Sequence, residues 1–328
     1  MLLLDKNSGA GGTGGFSGLT TLCGLYDEAG EFLNTGFPKE FAEAVSEGSP
    51  IKNGRLRVLP YRPEKFRAIS EKFFADCQSL TTVWSSPLEN IVMENGKIIS
   101  LNGFDVSAVI DCSGTSDVAQ KTGIVTLETD EATQASAVVF QLSNVKKEIR
   151  STADAAQVLL PLARAGFPPL HFHINLEPDS ITAKFSGPPE TVPKLIEILR
   201  TKVRGFENCS AVQKEFSVSR RAGKMTVGEY VLTGPDVLGA KKFPDAVARC
   251  AWPMEQWSAD GKTKVRFLPP GEFYEIPASS LRAAEIKNLF MAGKTISADA
   301  DAIASARVMG CCLATGEATA KLAVQSLK

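Results

Sequence analysis

Long apolar runs are absent from this 328-residue chain. Nothing approaches the ~18 residues a helix needs to cross a bilayer, and no secretory leader pattern is visible. A cytoplasmic protein is therefore expected, with the question of a signal sequence upstream of Met1 left open. An excess of either charge is missing too: 36 Lys and Arg stand against 37 Asp and Glu. That balance argues against nucleic acid or an anionic membrane as partner. Histidine is scarce, with only His171 and His173. The seven cysteines include no CxxC pair, which suggests a reducing compartment and mostly packing roles. What is present is 44% hydrophobic and 22% charged residues. That suffices for a sizeable core and, by length, roughly two domains.

The most informative stretch is Asn288 to Lys321. Leu289 to Ala292 reads as a short buried strand, Gly293 as a break, and the remainder as a loop and a helix of small residues. Gly310, Ala314, Ala318 and Leu322 recur every four positions, so one helix face is nearly smooth and can approach another backbone closely. Asp299 and Asp301 precede that helix, where carboxylates cap free N–H groups. Arg307 then falls in the first turn, where a cation is disfavoured without an anion beside it. Either Asp299 or Asp301 pairs with it, or the helix start seats an anionic cofactor.

The run Asn288-Leu-Phe-Met-Ala-Gly-Lys-Thr-Ile-Ser, then Ala304-Ser-Ala-Arg-Val-Met-Gly and Leu313-Ala-Thr-Gly-Glu-Ala, resembles the C-terminal signature of FAD-dependent oxidoreductases with the glutathione-reductase-like fold. The resemblance implies that Gly293, Lys294, Ser305, Arg307 and Val308 close a flavin site at the pyrimidine edge of the ring. Lys294 stands where the family pattern has arginine, and Ala298-Asp299 where it commonly has Ala-Thr. Further family likeness runs through Ser217-Val-Ser-Arg-Arg221, Val227 to Val237, Lys242 to Arg249, Trp252-Pro-Met and Leu268 to Pro277, and is loosest from Val125 to Lys214.

At the N-terminus, Met1 to Asp5 reads as a strand ending in an acid, followed by Gly9-Ala-Gly-Gly-Thr-Gly-Gly15. Gly9, Gly11 and Gly14 satisfy G-x-G-x-x-G, which leaves an NAD(P)-dependent dehydrogenase as one alternative. Lys6, Asn7 and Ser8 intervene, however, and no strand-terminal acid follows about 20 residues on. By resemblance, the strand is instead the family's second, with Asp5 and Lys6 at the adenosine ribose and Gly11, Gly12 and Thr13 beneath the cofactor. The first strand and its phosphate loop would then be absent from this chain, which is expected to hold FAD weakly. A truncated or inactive fragment of such a flavoprotein is the second alternative. Cys23 follows the glycine turn without a local cysteine partner, and Cys311 and Cys312 are the distant candidates; the expectation is that Cys23 forms no redox disulfide.

Leu59 to Cys77 reads as an amphipathic helix with Phe66, Ile69, Phe73 and Phe74 towards the core. Gln78 to Leu101 is strand-like, with Glu94-Asn-Gly-Lys as a hairpin turn. Ala108 to Asp117 is a strand ending in a polar turn. The resemblance puts Ser113 and Gly114 there at the pyrophosphate, and Asp117 at a contact or a helix N-cap. Ala135 to Leu142 alternates as a strand, Ala153 to Arg164 and Pro193 to Phe206 are helical, and Cys209 to Val218 is a strand. His171 and His173 share one strand face and read as a solvent-facing pair before a substrate-facing base or half a metal site. Arg220 and Arg221 suit either an anionic substrate or flavin phosphate, or a salt bridge in the seam between domains. The expected fold is α/β. A split Rossmann-like FAD-binding domain (1–123 and 280–328) carries an inserted β-rich substrate domain (124–279), and the expected activity is hydride transfer to or from FAD.

Overall fold

The computed structural model spans residues 1–328 and describes all but Arg150, Ile174, Asn175, Lys214, Glu215, Ser217 and Ala259. Part of the expected Cys209–Val218 strand, and the first residue of the Ser217–Arg221 motif, lie outside the described residues; Ser210–Ala211 and Val218–Ser219 are strands on either side.

Two pairs of parallel strands organise one side of the molecule. Leu2–Leu4 pairs with Thr81–Val83, and Val109–Asp111 pairs with Leu289–Met291. Among the described residues the two pairs do not join into one sheet. Burial is complete for Leu289, Phe290 and Met291, so the strand is apolar throughout, as a strand covered on both faces must be. Between the pairs in sequence, Ile91–Glu94, Lys97–Leu101 and Phe104–Asp105 form an antiparallel meander. Its first turn places Asn95 and Gly96 at φ 50° and 74°, the left-handed pair a two-residue hairpin requires.

Helix expectations met the structure unevenly. Phe66, Ile69 and Phe73 join a core with Leu22, Phe41 and Tyr61, but the helix covers only Pro63–Asp76. Leu56–Pro60 is a strand instead, because Pro63 starts the helix and the apolar Leu59 pairs with Leu22. Phe74 stacks on Trp84, with ring centroids 6.1 Å apart. The helices Thr152–Arg164 and Val192–Lys202 pack against one face of the sheet containing Ala137–Ser143, His171–Phe172 and Ile181–Phe185. They enclose a core of their own, with Phe140, Leu162, Phe185 and Leu199 fully buried. A third core draws on Met225, Trp252, Met254 and Tyr274 together with Leu289, Ile303 and Ala314.

The expected single C-terminal helix is two. Ala300–Ala306 ends at Arg307, Val308 is extended, and Met309–Gln325 begins anew. The smooth face of the longer helix is real. Gly310 lies so close to Gly24 that a Cβ would fall 2.4 Å from that residue's carbonyl carbon, and the Gly310 N–H donates to the Cys23 carbonyl at 2.8 Å.

The cysteine expectation needs correction: Cys250 and Cys311 form a disulfide, with Cα atoms 6.1 Å apart. The spacing of 61 residues gave no local hint of it, since the strand Ala246–Cys250 meets the helix only in the tertiary fold. Cys23 and Cys312 are free.

Candidate functional site

The carboxyl ends of the two parallel strand pairs open towards the same region. After Leu4, Asp5 accepts from the backbone and side-chain nitrogens of Asn7, both at 2.8 Å on one carboxylate oxygen. Lys6 reaches across to Asp117 at 3.7 Å, which ties the end of the first pair to the turn beyond the second. Gly11 and Gly12 have φ of +112° and +46°, a left-handed step that L side chains resist. The glycine run then becomes a five-residue helix, Gly12–Phe16. Its smallness has a packing cause: the Phe66 ring lies where a Gly14 side chain would be, and Arg67 where a Gly15 side chain would be. Tyr61 anchors the turn by donating to the Gly14 carbonyl at 2.9 Å. Gly12 and Thr13 are exposed, and an added Gly12 Cβ would meet nothing within 4 Å.

Beyond Val109–Asp111, the buried Asp111 carboxylate accepts from the backbone of Ser113 at 2.9 Å and Val118 at 3.1 Å. Burial pushes its pKa up despite those bonds. Ser113 Oγ accepts from the N–H of Asp117 at 3.0 Å. Asp117 is thus the first helical residue, with Ser116 in the N-cap position. Gly114, at φ +72°, faces open space.

In the short turn after the neighbouring strand Leu289–Met291, Thr295 Oγ1 donates to the Asp111 carbonyl at 2.7 Å, and the Gly293 N–H donates to Thr315 Oγ1 at 3.0 Å. Lys294 Nζ donates to the Arg220 carbonyl at 3.1 Å; burial lowers its pKa, and Arg307 nearby adds to the effect.

Arg307 is not in a first turn. It closes Ala300–Ala306 as the C-cap, where a cation suits the negative end of the dipole. Neither expected aspartate pairs with it. Asp299 is the N-cap, accepting from Ala302 at 2.7 Å, and Asp301 is held by Arg266 and Gln256, each at 2.6 Å. Arg307 Nη2 instead donates to Gln134 Oε1 at 3.1 Å, and its Nε is buried without a partner among the described residues. Ser305 departs from its expected role. Its hydroxyl is fully buried, donating to the Trp252 carbonyl at 2.5 Å beside Tyr274 Oη at 2.9 Å, so it holds the core rather than facing a ligand. Val308 packs on Gly24.

Three cysteines mark a recess here. Cys112 is exposed and Cys23 and Cys312 half-buried. Desolvation nonetheless raises their thiols to about 12, 12 and 11. Both hold where a side chain faces solvent deep within surrounding protein. Alongside, a cleft of about 870 Å³ is lined by Thr115, Glu131, Ala135, Ser186 and Arg220.

The recess also receives groups that pattern reading missed. Residues 133–135 are stapled to the strand Met254–Trp257: Trp257 N donates to Thr133 O at 3.1 Å, and Ala135 N to Trp257 O at 2.7 Å. Gln134 Nε2 donates to the Glu255 carbonyl at 3.0 Å. Lys184 and Arg221 both lie over the Trp257 ring, at 4.0 and 4.5 Å from its centroid. His171 meets that ring edge-on at 4.7 Å. The histidines are therefore not a solvent-facing pair, and burial lowers both pKa values. Arg221 donates to the Ala135 carbonyl at 2.5 Å and makes no salt bridge among the described residues. The one available signal was Lys184 itself, a lysine in the largely buried strand Ile181–Phe185.

A family model described as FAD dependent oxidoreductase matches residues 1–164 and 169–328. No curated protein sequence matches the chain. Among solved structures, the chain is similar to the Diels-Alderase PyrE3 of pyrroindomycin biosynthesis (10% identity, TM-score 0.47, 99% of this chain and 60% of that one). It is also similar to GidA of Aquifex aeolicus (10%, 0.46, 97% and 62%), and to the angucycline aromatic hydroxylase CabE (10%, 0.43, 90% and 51%). The chain thus spans less than two thirds of the length of these proteins.

Proposed function

Because the chain belongs to the FAD dependent oxidoreductase family, whose cofactor is FAD, we propose that it carries out flavin-mediated oxidation or reduction of a small molecule by hydride transfer. The observation that carries this reading is the meeting of Asp5, Lys6, Ser113, Gly114, Gly293 and Lys294 beyond the carboxyl ends of two parallel strand pairs. In open α/β sheets, ligands bind at that edge. The residues also suit the group chemically. Among the described residues, Lys294 has only a carbonyl as hydrogen-bond partner and Arg307 keeps an unpaired buried Nε, and Gly12 and Gly114 allow close backbone approach. No helix among the described residues is long and apolar enough to cross a membrane.

In this reading residues 1–123 and 280–328 form the discontinuous flavin-binding domain, and 124–279 the substrate domain. Asp5 would hold the ribose hydroxyls, with Lys6 beside it. Gly11, Gly12 and Thr13 offer close approach. Ser113 and Gly114 pass the pyrophosphate, while Lys294, Arg307 and Val308 lie at the ring. FAD, when bound, supplies the two-electron chemistry, and the protein's contribution is to place the donor and set the charge near the ring.

The test is titration of the purified chain with FAD, followed by flavin fluorescence, alongside Lys294→Met and Arg307→Met. Saturable binding weakened about tenfold in each variant, roughly 1.4 kcal/mol, supports the reading. No saturation in the unaltered chain would return it to the rival reading, a structural remnant of a flavoprotein.

A further inference from the structure

Two cations that the flavin reading does not use, Lys184 and Arg221, lie over Trp257, and Arg307, which that reading places at the ring, joins them through Gln134. They come from three separate elements. Lys184 stands directly opposite His171 on the paired strand and opposite Val139 on its other neighbour, so these side chains share a face. Arg221 follows Val218–Ser219, and Arg307 closes its short helix. Trp257 and the Gln134 stapled to it bring all three to one recess.

The recess is short of negative charge. Among the described residues, Lys184, Arg221 and Arg307 have no carboxylate within 4.0 Å. Glu255 is the one carboxylate among the described residues whose charge acts on all three. Glu131 is held by the backbone and hydroxyl of Ser136, both at 2.7 Å. Two nitrogens are left over as well: among the described residues, the Arg307 Nε–H donor and His173 Nε2 are buried without hydrogen-bond partners. Recessed cations facing one carboxylate are costly unless an anion joins them. A ring face between two cations offsets only part of that cost.

We propose that this cluster seats the carboxylate of the substrate, so that the enzyme acts on a small carboxylic acid, with Lys184 as the principal contact and Arg221 and Arg307 flanking it. The inference rests on the flavoprotein reading for the reaction, but not for the binding of the acid. Lys184 gives it a pH signature. Burial first, and then Arg221, bring its ammonium down to about 8, opposed by Glu255 and Cys23, with Arg307 adding to the lowering. The other facing groups hold one charge state around that pH. His171 and His173 are lowered and neutral, and the Cys23 thiol is raised to about 12. Carboxylate affinity should therefore be constant below about pH 8 and fall up to tenfold per unit above it.

The experiment titrates the full chain, without and with FAD, with benzoate, succinate, benzamide, succinamide and inorganic phosphate, following tryptophan fluorescence. Saturable binding of a carboxylate, absence of binding by its amide, and the loss above pH 8 are the expected results. Lys184→Met should weaken binding at least tenfold and abolish the pH step, with far-UV circular dichroism verifying its fold. Equal binding of acid and amide, or phosphate binding tighter than either acid, overturns the assignment, and neither result depends on the variant folding. Flavin binding read on the same samples separates the two claims. Carboxylate binding without FAD binding keeps this site and sinks the flavin reading; FAD binding without carboxylate binding does the reverse.

Discussion

Replacing Gly310 and Gly316 by alanine should move stability in opposite directions, although both lie within one helix, Met309–Gln325. At Gly316 an added Cβ meets nothing within 4 Å. Alanine there gains only the usual helix advantage, about 0.5–1 kcal/mol. At Gly310 the same methyl would sit 2.4 Å from both the carbonyl carbon and oxygen of Gly24, and 2.7 Å from the Leu25 nitrogen. All three are backbone atoms, so no side chain can swing aside. Ordinary contact begins at 3.4 Å, so the helix must retreat by about 1 Å, which a close-packed interior resists. It would also stretch the 2.8 Å bond from Gly310 N to Cys23 O. Overpacking of this kind costs typically 1–3 kcal/mol; after the helix gain, a net loss on the order of 2 kcal/mol is expected. Denaturant unfolding at unchanged m-value measures it directly. The retreat displaces Val308 and Arg307 as well, so FAD binding should weaken in Gly310→Ala and stay unaltered in Gly316→Ala. A Gly310→Ala midpoint equal to or above that of the unaltered chain would refute the close-approach argument.

Asn288 is buried and accepts from Ile98 N at 2.9 Å while donating to Ile98 O and Ser107 O at 2.7 and 3.0 Å. Asn288→Ala strands three backbone groups and should cost about 2–4 kcal/mol in denaturant unfolding; a loss under about 0.5 kcal/mol would mean those groups find other partners. The Cys250–Cys311 disulfide encloses 61 residues, so Cys250→Ser should lose about 4 kcal/mol in a chain-entropy account. Thiol titration of unreduced, denatured protein should find five free cysteines, and a count of seven would remove the bond from the description. Burial holds the His173 imidazole down at about 3, against about 6.5 in the unfolded chain. Between those values the unfolded chain binds the extra proton, so stability should fall as pH drops below about 6.5, by up to ~1.4 kcal/mol per unit. His173→Gln should flatten that slope in unfolding curves taken from pH 7 to 4, and an unchanged slope would place the proton uptake elsewhere.

Much of the architecture was legible because it rests on local chemistry. Leu289–Met291 is apolar enough to be read as a covered strand, and Asn95-Gly96 as a hairpin turn. The four-residue recurrence of Gly310, Ala314 and Ala318 announced a close helix approach before its partner, Gly24, was known. Family likeness supplied the flavin from the same C-terminal run. Expectations failed where a residue's partner lay far along the chain. Arg307 read as a cation at a helix start because Asp299 and Asp301 were its only neighbours in sequence, whereas Gln134, 173 residues away, takes its hydrogen bond. Ser305 matched a motif, yet Trp252 and Tyr274 enclose it.

The sequence by itself determined many of the elements and the smooth helix face, and its family-like C-terminal run carried the cofactor class. Each depends on periodicity or on a run of adjacent residues, which the covalent chain already displays. Only the tertiary structure decided the Cys250–Cys311 pairing, the break at Arg307–Val308, and the gathering of Lys184, Arg221 and Arg307 around Trp257. Those features arise from contacts between elements dozens of residues apart. A side chain's charge and burial there depend on what the packed sheets and helices bring to face it.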